Sequence, residues 1–368
     1  MPDADLPLLA LADYEAAASA QAEAYAWEYL ARGSGAGITL RENVEAWRRW
    51  VLHPHVLRDV STIDLSTTVL DTTVSTPILV APTAMHRFFA DDGELATARA
   101  AAAAGTVFVV SMAATTSVED VAAAAPDGRH WAQMYMLRDR GRTRALAERV
   151  RAAGYRAIVA SVDGASVGRG TASASAGRLT PPEWVRYPNL ASDADPESSD
   201  IMRMVSDFDP SVTPADLARF GEWSGLPVVV KGVLRGDDAA RAIDAGAAAI
   251  AVSNHGGRVL DGIAATADVL PAVVEAVDGR AEVYVDGGIR TGTDVVKALA
   301  LGARAVMVGR PVLWGLVVDG AAGAAAVLEL LNLQFEAAVA FCGARNVAEL
   351  TRDLVMQAGQ PTERGIVR

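Results

Sequence analysis

From residue 77 onward, short apolar, mostly β-branched runs alternate with Ala-rich helical stretches, and they do so eight times. The runs cover residues 77–82, 106–111, 130–134, 157–162, 227–231, 249–253, 282–286 and 305–308. A strand followed each time by a helix reads as a βαβ unit, in which the helix carries the chain back so that the next strand pairs in parallel. Eight such units over roughly 250 to 290 residues fit an α/β fold of the closed (β/α)8 TIM-barrel kind, whereas an open doubly wound sheet more often stops at six. Most of the runs end in polar or special residues: Ser111, Asp163, Lys231, Ser253 and Asp286. A barrel gathers such ends on one face, where active sites sit.

Local signals agree. Thr213-Pro214-Ala215-Asp216 offers a capping Thr, a Pro at the first helical position and a carboxylate at the third, and Thr291-Gly292-Thr293-Asp294 opens another helix. The Ala run at 100–104 is a helix packed close to the sheet. Two segments break the rhythm. Residues 1–65 read as a helical segment lying on the barrel mouth, with one helix over 14–31 stopped by Gly33-Ser34-Gly35, and residues 66–368 form the barrel. Residues 164–210, rich in Gly, Ser, Pro and Asp, follow the fourth strand and read as a partly mobile active-site loop.

Composition limits the partners. With 33 Lys+Arg against 45 Asp+Glu the net charge is −12, which disfavours a nucleic-acid partner, while 51% hydrophobic residues supply a large core. The apolar stretches are interrupted by Asp, Arg or Gly, the first residues are acidic, and Cys342 stands alone, so no membrane is expected and the location reads as cytoplasmic. The five His show no metal-ligand spacing with Cys, and no metal is expected.

The densest chemistry is Ser253-Asn254-His255-Gly256-Gly257-Arg258, after the sixth strand. A generic hexad of this kind is a turn with a solvated Arg, but an imidazole at the end of a barrel strand is well placed for acid/base work. After strands seven and eight come Asp286-Gly287-Gly288-Ile289-Arg290 and Gly309-Arg310. Glycines permit close backbone approach, the next helix offers N–H groups, and two Arg supply charge, which together describe a phosphate site. Lys231 either reaches solvent from its strand end or stabilises negative charge on an electron-accepting ring. Asp163 either caps a turn or orients His255.

The hexad, Lys231 in Val-Lys-Gly-Val, Asp286-Gly-Gly-Ile-Arg290, Gly309-Arg310-Pro311, Ala81-Pro82-Thr83-Ala84 and Gln133-Met134-Tyr135 closely resemble the FMN-dependent α-hydroxy-acid oxidases and dehydrogenases. The resemblance implies a TIM barrel with FMN at its mouth, a homotetramer, and oxidation of a 2-hydroxy acid to the 2-oxo acid, with oxygen the expected electron acceptor. It also implies roles. His255 is similar to the family's base, Asp163 to its carboxylate partner, Arg258 to the clamp on the substrate carboxylate, and Tyr29 and Tyr135 to substrate-binding tyrosines. Lys231 matches the lysine beside the flavin. Ala84, Ser111, Gln133, Ser161 and Ser253 fall on flavin-contacting positions, and Asp286, Gly288, Arg290, Gly309 and Arg310 on ribityl-phosphate positions.

Two positions depart from that pattern. A second carboxylate-binding arginine of the family is replaced here by Gly170, where Arg169 is expected to substitute as a substrate-binding residue from the neighbouring position, and Ala113 stands where glycolate oxidase has a Trp. A small side chain there widens the pocket, which favours a bulky or aromatic substrate, and Pro181-Pro182-Glu183-Trp184 is similar to hydroxymandelate oxidases. Two alternatives remain: an FMN enzyme acting on an amine or peptide-derived intermediate, which Gly170 favours, and a non-redox barrel that keeps only the phosphate site.

Overall fold

A computed structural model describes residues 8–164, 182–191 and 206–359. Eight parallel strands close into a barrel: β1 (Ile78–Val80), β2 (Val107–Ser111), β3 (Arg129–Met134), β4 (Ile158–Ser161), β5 (Val228–Val233), β6 (Ala249–Val252), β7 (Glu282–Asp286) and β8 (Ala305–Val308). Each pairs with its sequence neighbours, and β8 closes on β1 through Val306 opposite Ile78 and Val308 opposite Val80. All eight strands lie where the apolar runs place them. One differs in kind: β5 continues past Lys231 through an irregularity at Gly232, so Lys231 stands inside a strand.

Both faces of every strand are covered, which is why the runs read as continuous rather than alternating. Period two is nevertheless kept. Leu79, Val107, Val109, Trp131, Val159 and Val229 belong to the cluster inside the barrel, while their neighbours Val80, Phe108, Val110, Ala132, Ile158 and Val230 pack outward against the helices. Small residues on the inner face (Ala157, Ala249, Ala251 and Ala305) make room for the fully buried rings of Trp131 and Tyr284, whose centroids lie 5.6 Å apart.

The N-terminal part is not wholly helical. Three helices, Leu11–Gln21, Ala24–Ala31 and Ile38–Arg48, are followed by a strand, Trp50–Leu52, that pairs antiparallel with Val355–Gln357. The single helix expected over 14–31 is broken at Ala22, whose ψ of 144° is extended. A hairpin, Thr67–Val69 with Thr72–Val74, turns on Leu70 and Asp71 at φ 42° and 61°; the Leu70 N–H reaches Glu282 at the start of β7, so the hairpin plugs the end of the barrel away from the site. Helix Arg310–Phe341 is long and apolar enough to cross a membrane by length and composition. It breaks at Asp319 and Gly320, and half of its apolar window is buried against helices Gly93–Ala103 and Leu11–Gln21.

The C-terminal strand ends open under the N-terminal segment, which is tied to the hexad at several points. The Ser34 N–H donates to the Gly257 carbonyl at 2.8 Å, and the amides of Asn43 and Asn254 exchange hydrogen bonds at 2.8 and 2.7 Å. A Cβ on Gly257, which has φ +74°, would stand 2.7 Å from the Leu40 nitrogen, so only glycine lets the two segments meet here.

Candidate active site

A cleft opens at this face, lined among others by Tyr29, Ala84, Ala113, Gln133, Lys231 and His255. Its floor is a ladder of polar strand ends. The Ser111 hydroxyl donates to Gln133 Oε1, which parallel register sets opposite it, and Gln133 Nε2 reaches on to donate to Ser161 Oγ on the next strand, both at 3.1 Å. Lys231 is buried. Its Nζ donates to Ser253 Oγ at 2.9 Å and lies 3.2 Å from Asp286 Oδ2. Burial alone would lower its pKa, but the charges of Asp286 and Asp163 outweigh burial and raise it, so the ammonium is permanent.

His255 adopts φ 59°, a left-handed conformation that costs a non-glycine residue about 1 kcal/mol and turns the chain back toward the barrel axis. Both Asp163 carboxylate oxygens lie 3.1 Å from His255 Nδ1. Gly232, at φ +108°, makes that approach possible, since a Cβ there would fall 2.6 Å from Asp163 Cγ. Burial opposes ionisation of Asp163, yet His255 and Lys231 hold its pKa below the ordinary carboxylate value. An ionised acceptor at Nδ1 selects the Nδ1–H tautomer and turns the Nε2 lone pair toward the cleft. There the Tyr135 hydroxyl lies 3.3 Å from Nε2; burial, then the Asp163 and Tyr29 charges, push the phenol pKa well above its usual value, so it stays protonated.

Three guanidinium groups converge on the rim. Arg258 Nη1 donates to the carbonyls of Tyr29 and Arg32 at 2.7 and 2.9 Å, with its plane 4.6 Å over the Tyr29 ring. Arg310 donates to the carbonyls of Leu30, Gly256 and Arg32, and Arg290 to that of Ile289, with its guanidinium over Trp314. Burial, then repulsion by Arg258 and Arg290, depress Arg310 to about 9. Such a cluster calls for an anion between its members.

The expected residues gather with some exceptions. Ser111, Ser161, Gly288, Gly309, Asp286 and all three rim arginines line the cleft. Ser253 is fully buried just beneath that lining, where its Oγ accepts from Lys231 Nζ at 2.9 Å and from the His255 N–H at 3.1 Å. Asp163 likewise stands behind His255. The helix after β7 offers less than its glycines promise: Asp294 already accepts from the N–H groups of Arg290 and Thr291, whereas the helix beginning at Arg310 has no side-chain cap. Arg169 and Gly170 lie outside the described residues. Phe208 and Asn43, which frame the site, carry no signal in the sequence, because each arrives from a segment distant along the chain.

A buried cation, a polar ladder, an orphaned Asp286 Oδ1 and three rim guanidinium groups with no carboxylate ion pair among the described residues fit a flavin ring, its ribityl hydroxyls and its phosphate. The family model for FMN-dependent dehydrogenases matches residues 18–357. The chain belongs to that family. It is 43% identical over 357 residues to human 2-hydroxyacid oxidase 1, covering 95% of this chain and 96% of the relative. It is 44% identical to L-lactate oxidase of a Nostoc species, covering 92% and 96%. Among solved structures, a mandelate oxidase variant with (S)-mandelic acid superimposes with a TM-score of 0.86 at 38% identity, covering 96% and 99%.

Proposed function

We propose that the protein oxidises a 2-hydroxy acid with a bulky or aromatic side chain to the 2-oxo acid, using FMN, with oxygen as the final electron acceptor. One observation carries this reading: an imidazole whose Nδ1 is held by a buried carboxylate and whose Nε2 faces the cleft, in the same six residues as an arginine on the rim. FMN, when bound, supplies the two-electron acceptor that no side chain here can provide. Arg258 binds the substrate carboxylate, for which its planar fork is suited, and its Nη1 contacts with two carbonyls hold that fork in place. His255 Nε2 takes one proton from the substrate, and Asp163 stabilises the resulting imidazolium. Tyr29 and Tyr135 fix the substrate from either side. Lys231 provides positive charge beside the ring; Arg290 and Arg310 hold the phosphate.

The size of the substrate side chain rests on Ala113, which lines the cleft, and is supported by the mandelate oxidases among the structural neighbours. Adding (S)-mandelate and (S)-lactate anaerobically to the yellow holoenzyme should bleach the flavin band, with mandelate favoured. Ala113→Trp should reverse that preference. A panel of 2-hydroxy acids that leaves the band unbleached sinks the reading and points to an amine or peptide-derived substrate. A cytoplasmic homo-oligomer, a tetramer, is part of the same proposal. It is supported by the buried free thiol of Cys342 and by exposed Val56, Leu57, Leu333 and Phe341, and light scattering of the purified protein tests it.

A further inference from the structure

Residues 207–209 come back to the barrel beside the loop that follows β3, and the return is fastened on both sides. The Arg138 N–H donates to the Asp207 carbonyl at 2.8 Å and the Asp209 N–H to the Met136 carbonyl at 2.9 Å, which sets Phe208 opposite Leu137 in an isolated antiparallel bridge. Two main-chain bonds alone make a weak clasp. Arg142 adds an ion pair to Asp207 at 2.6 Å, and Arg140 adds one to Asp209 at 2.5 Å, all four groups being half-buried or better. Between these pairs the buried Phe208 ring lies 24° from parallel to the Tyr135 ring, with centroids 4.2 Å apart.

Tyr135 needs such a support. Its hydroxyl lies 3.3 Å from His255 Nε2, at the outer limit of a hydrogen bond, so a small swing of the ring in either direction breaks or clashes the contact. The ring planes of Tyr135 and His255 are only 20° apart, so the Tyr135 ring lies close to parallel with both Phe208 and His255. We propose that Phe208 is a positioning residue: its face sets the Tyr135 ring, and through it the place of the phenol hydroxyl against the His255 base. This rests on the oxidase reading given above.

The test is a double-mutant cycle in the holoenzyme together with fluorine NMR. Displacing a reacting group by about 1 Å costs on the order of a hundredfold in rate, so Phe208→Ala should lower the anaerobic flavin-reduction rate constant at least tenfold. Phe208→Tyr, which keeps the stacked face, should stay within about twofold of wild type. In a Tyr135→Phe background the hydroxyl is already gone, and Phe208→Ala should then cost less than about twofold. A full tenfold loss in that background overturns the proposal, as does a near wild-type Phe208→Ala. In 3-fluorotyrosine-labelled protein the Tyr135 resonance, assigned by its absence in Tyr135→Phe, should shift or broaden in Phe208→Ala; an unmoved resonance also overturns it. That second readout needs no substrate, so failure of every hydroxy acid to bleach the flavin would count against the oxidase reading alone. Should Phe208→Ala not fold, Phe208→Leu, which fills the space without a flat face, takes its place in the same cycle.

Discussion

Replacing Asp163 by Asn keeps the shape of the His255 brace and removes its charge. With Asp163 Oδ1 and Oδ2 both 3.1 Å from Nδ1, an effective dielectric of about 20 gives roughly 5 kcal/mol for the attraction between carboxylate and imidazolium, as a ceiling. Charge-assisted hydrogen bonds are worth about 1.5–3 kcal/mol and the amide keeps a neutral bond of about 1 kcal/mol, which sets a floor of about 0.5 kcal/mol for an amide that turns its Nδ2 away. If Nδ2 faces the ring instead, the other tautomer is selected and the base is lost. Between these limits, flavin reduction slows by about twofold to several thousand-fold. FMN affinity should hardly change, since Asp163 does not line the cleft. Anaerobic stopped-flow at saturating substrate reads the first quantity and flavin fluorescence titration the second. The folded-state pKa of Asp163 is depressed, so its contribution to stability is present above the unfolded value of 3.8 and fades as pH falls through the folded one. The stability gap between wild type and Asp163→Asn should therefore be widest above about pH 4 and close in acid. An unchanged rate, or a gap that widens in acid, would refute the brace.

Three other outcomes follow from the same geometry. Lys231→Met leaves Asp286 buried without its cation and should cost about 3–5 kcal/mol in denaturant unfolding of the apoprotein, most of it recovered in Lys231→Met/Asp286→Asn; equal losses in both would mean the pair is unimportant. Gly288→Ala would set a Cβ 1.8 Å from the Asn43 carbonyl at φ +80°, so it should displace the third N-terminal helix from the loop after β7 and weaken FMN binding measurably in a fluorescence titration. Inorganic phosphate should raise the melting temperature of the apoprotein by about 3–5 °C at a hundredfold excess over its Kd, whereas chloride at matched ionic strength should not, because only a polyvalent anion can bridge Arg290 and Arg310.

Why the sequence is so readable in one part and not another has a physical basis. The barrel strands are buried on both faces, so each one appears as an apolar run, and Ser111, Lys231 and Asp286 stand out as polar breaks in those runs. The Thr213 and Thr291 capping boxes are local, within four residues, and form as their spacing demands. The hairpin turning on Leu70 and Asp71 escapes notice because its residues are not the Asn-Gly type that favours two positive φ values. The break at Ala22 has no Gly or Pro to announce it. Lys231 looks like a strand end because the irregularity at Gly232 interrupts the pattern, while the ladder itself runs on to Val233. The bonds of the Ser253 hydroxyl to Lys231 and to the His255 amide join residues of different strands and loops, and only the folded neighbours reveal them. Phe208 is one aromatic residue at the end of a polar interval; its meaning exists only once Arg140 and Arg142 draw it onto Tyr135.

The electrostatics of the whole chain and of the site pull in opposite directions, and their ranges decide the outcome. A net charge of −12 repels an anionic substrate at a distance, but at physiological ionic strength that repulsion decays over about 8 Å. Within the cleft, Arg258, Arg290, Arg310 and Lys231 face inward, of which only Lys231 is matched by a carboxylate among the described residues. Two anions are then needed to balance three rim arginines: the phosphate, which takes Arg290 and Arg310, and a substrate carboxylate at Arg258. The Arg258 side chain sits within reach of Arg310's field, so filling the phosphate position relieves repulsion on Arg310 and leaves Arg258 as the remaining unmatched cation. Substrate affinity should accordingly respond to salt far less than that of an exposed anion site, because the partners meet inside the screening length. Raising sodium chloride from about 0.05 to 0.5 M should change the KM for the preferred hydroxy acid by less than about threefold; a change of a hundredfold would place the carboxylate on the open surface, away from Arg258.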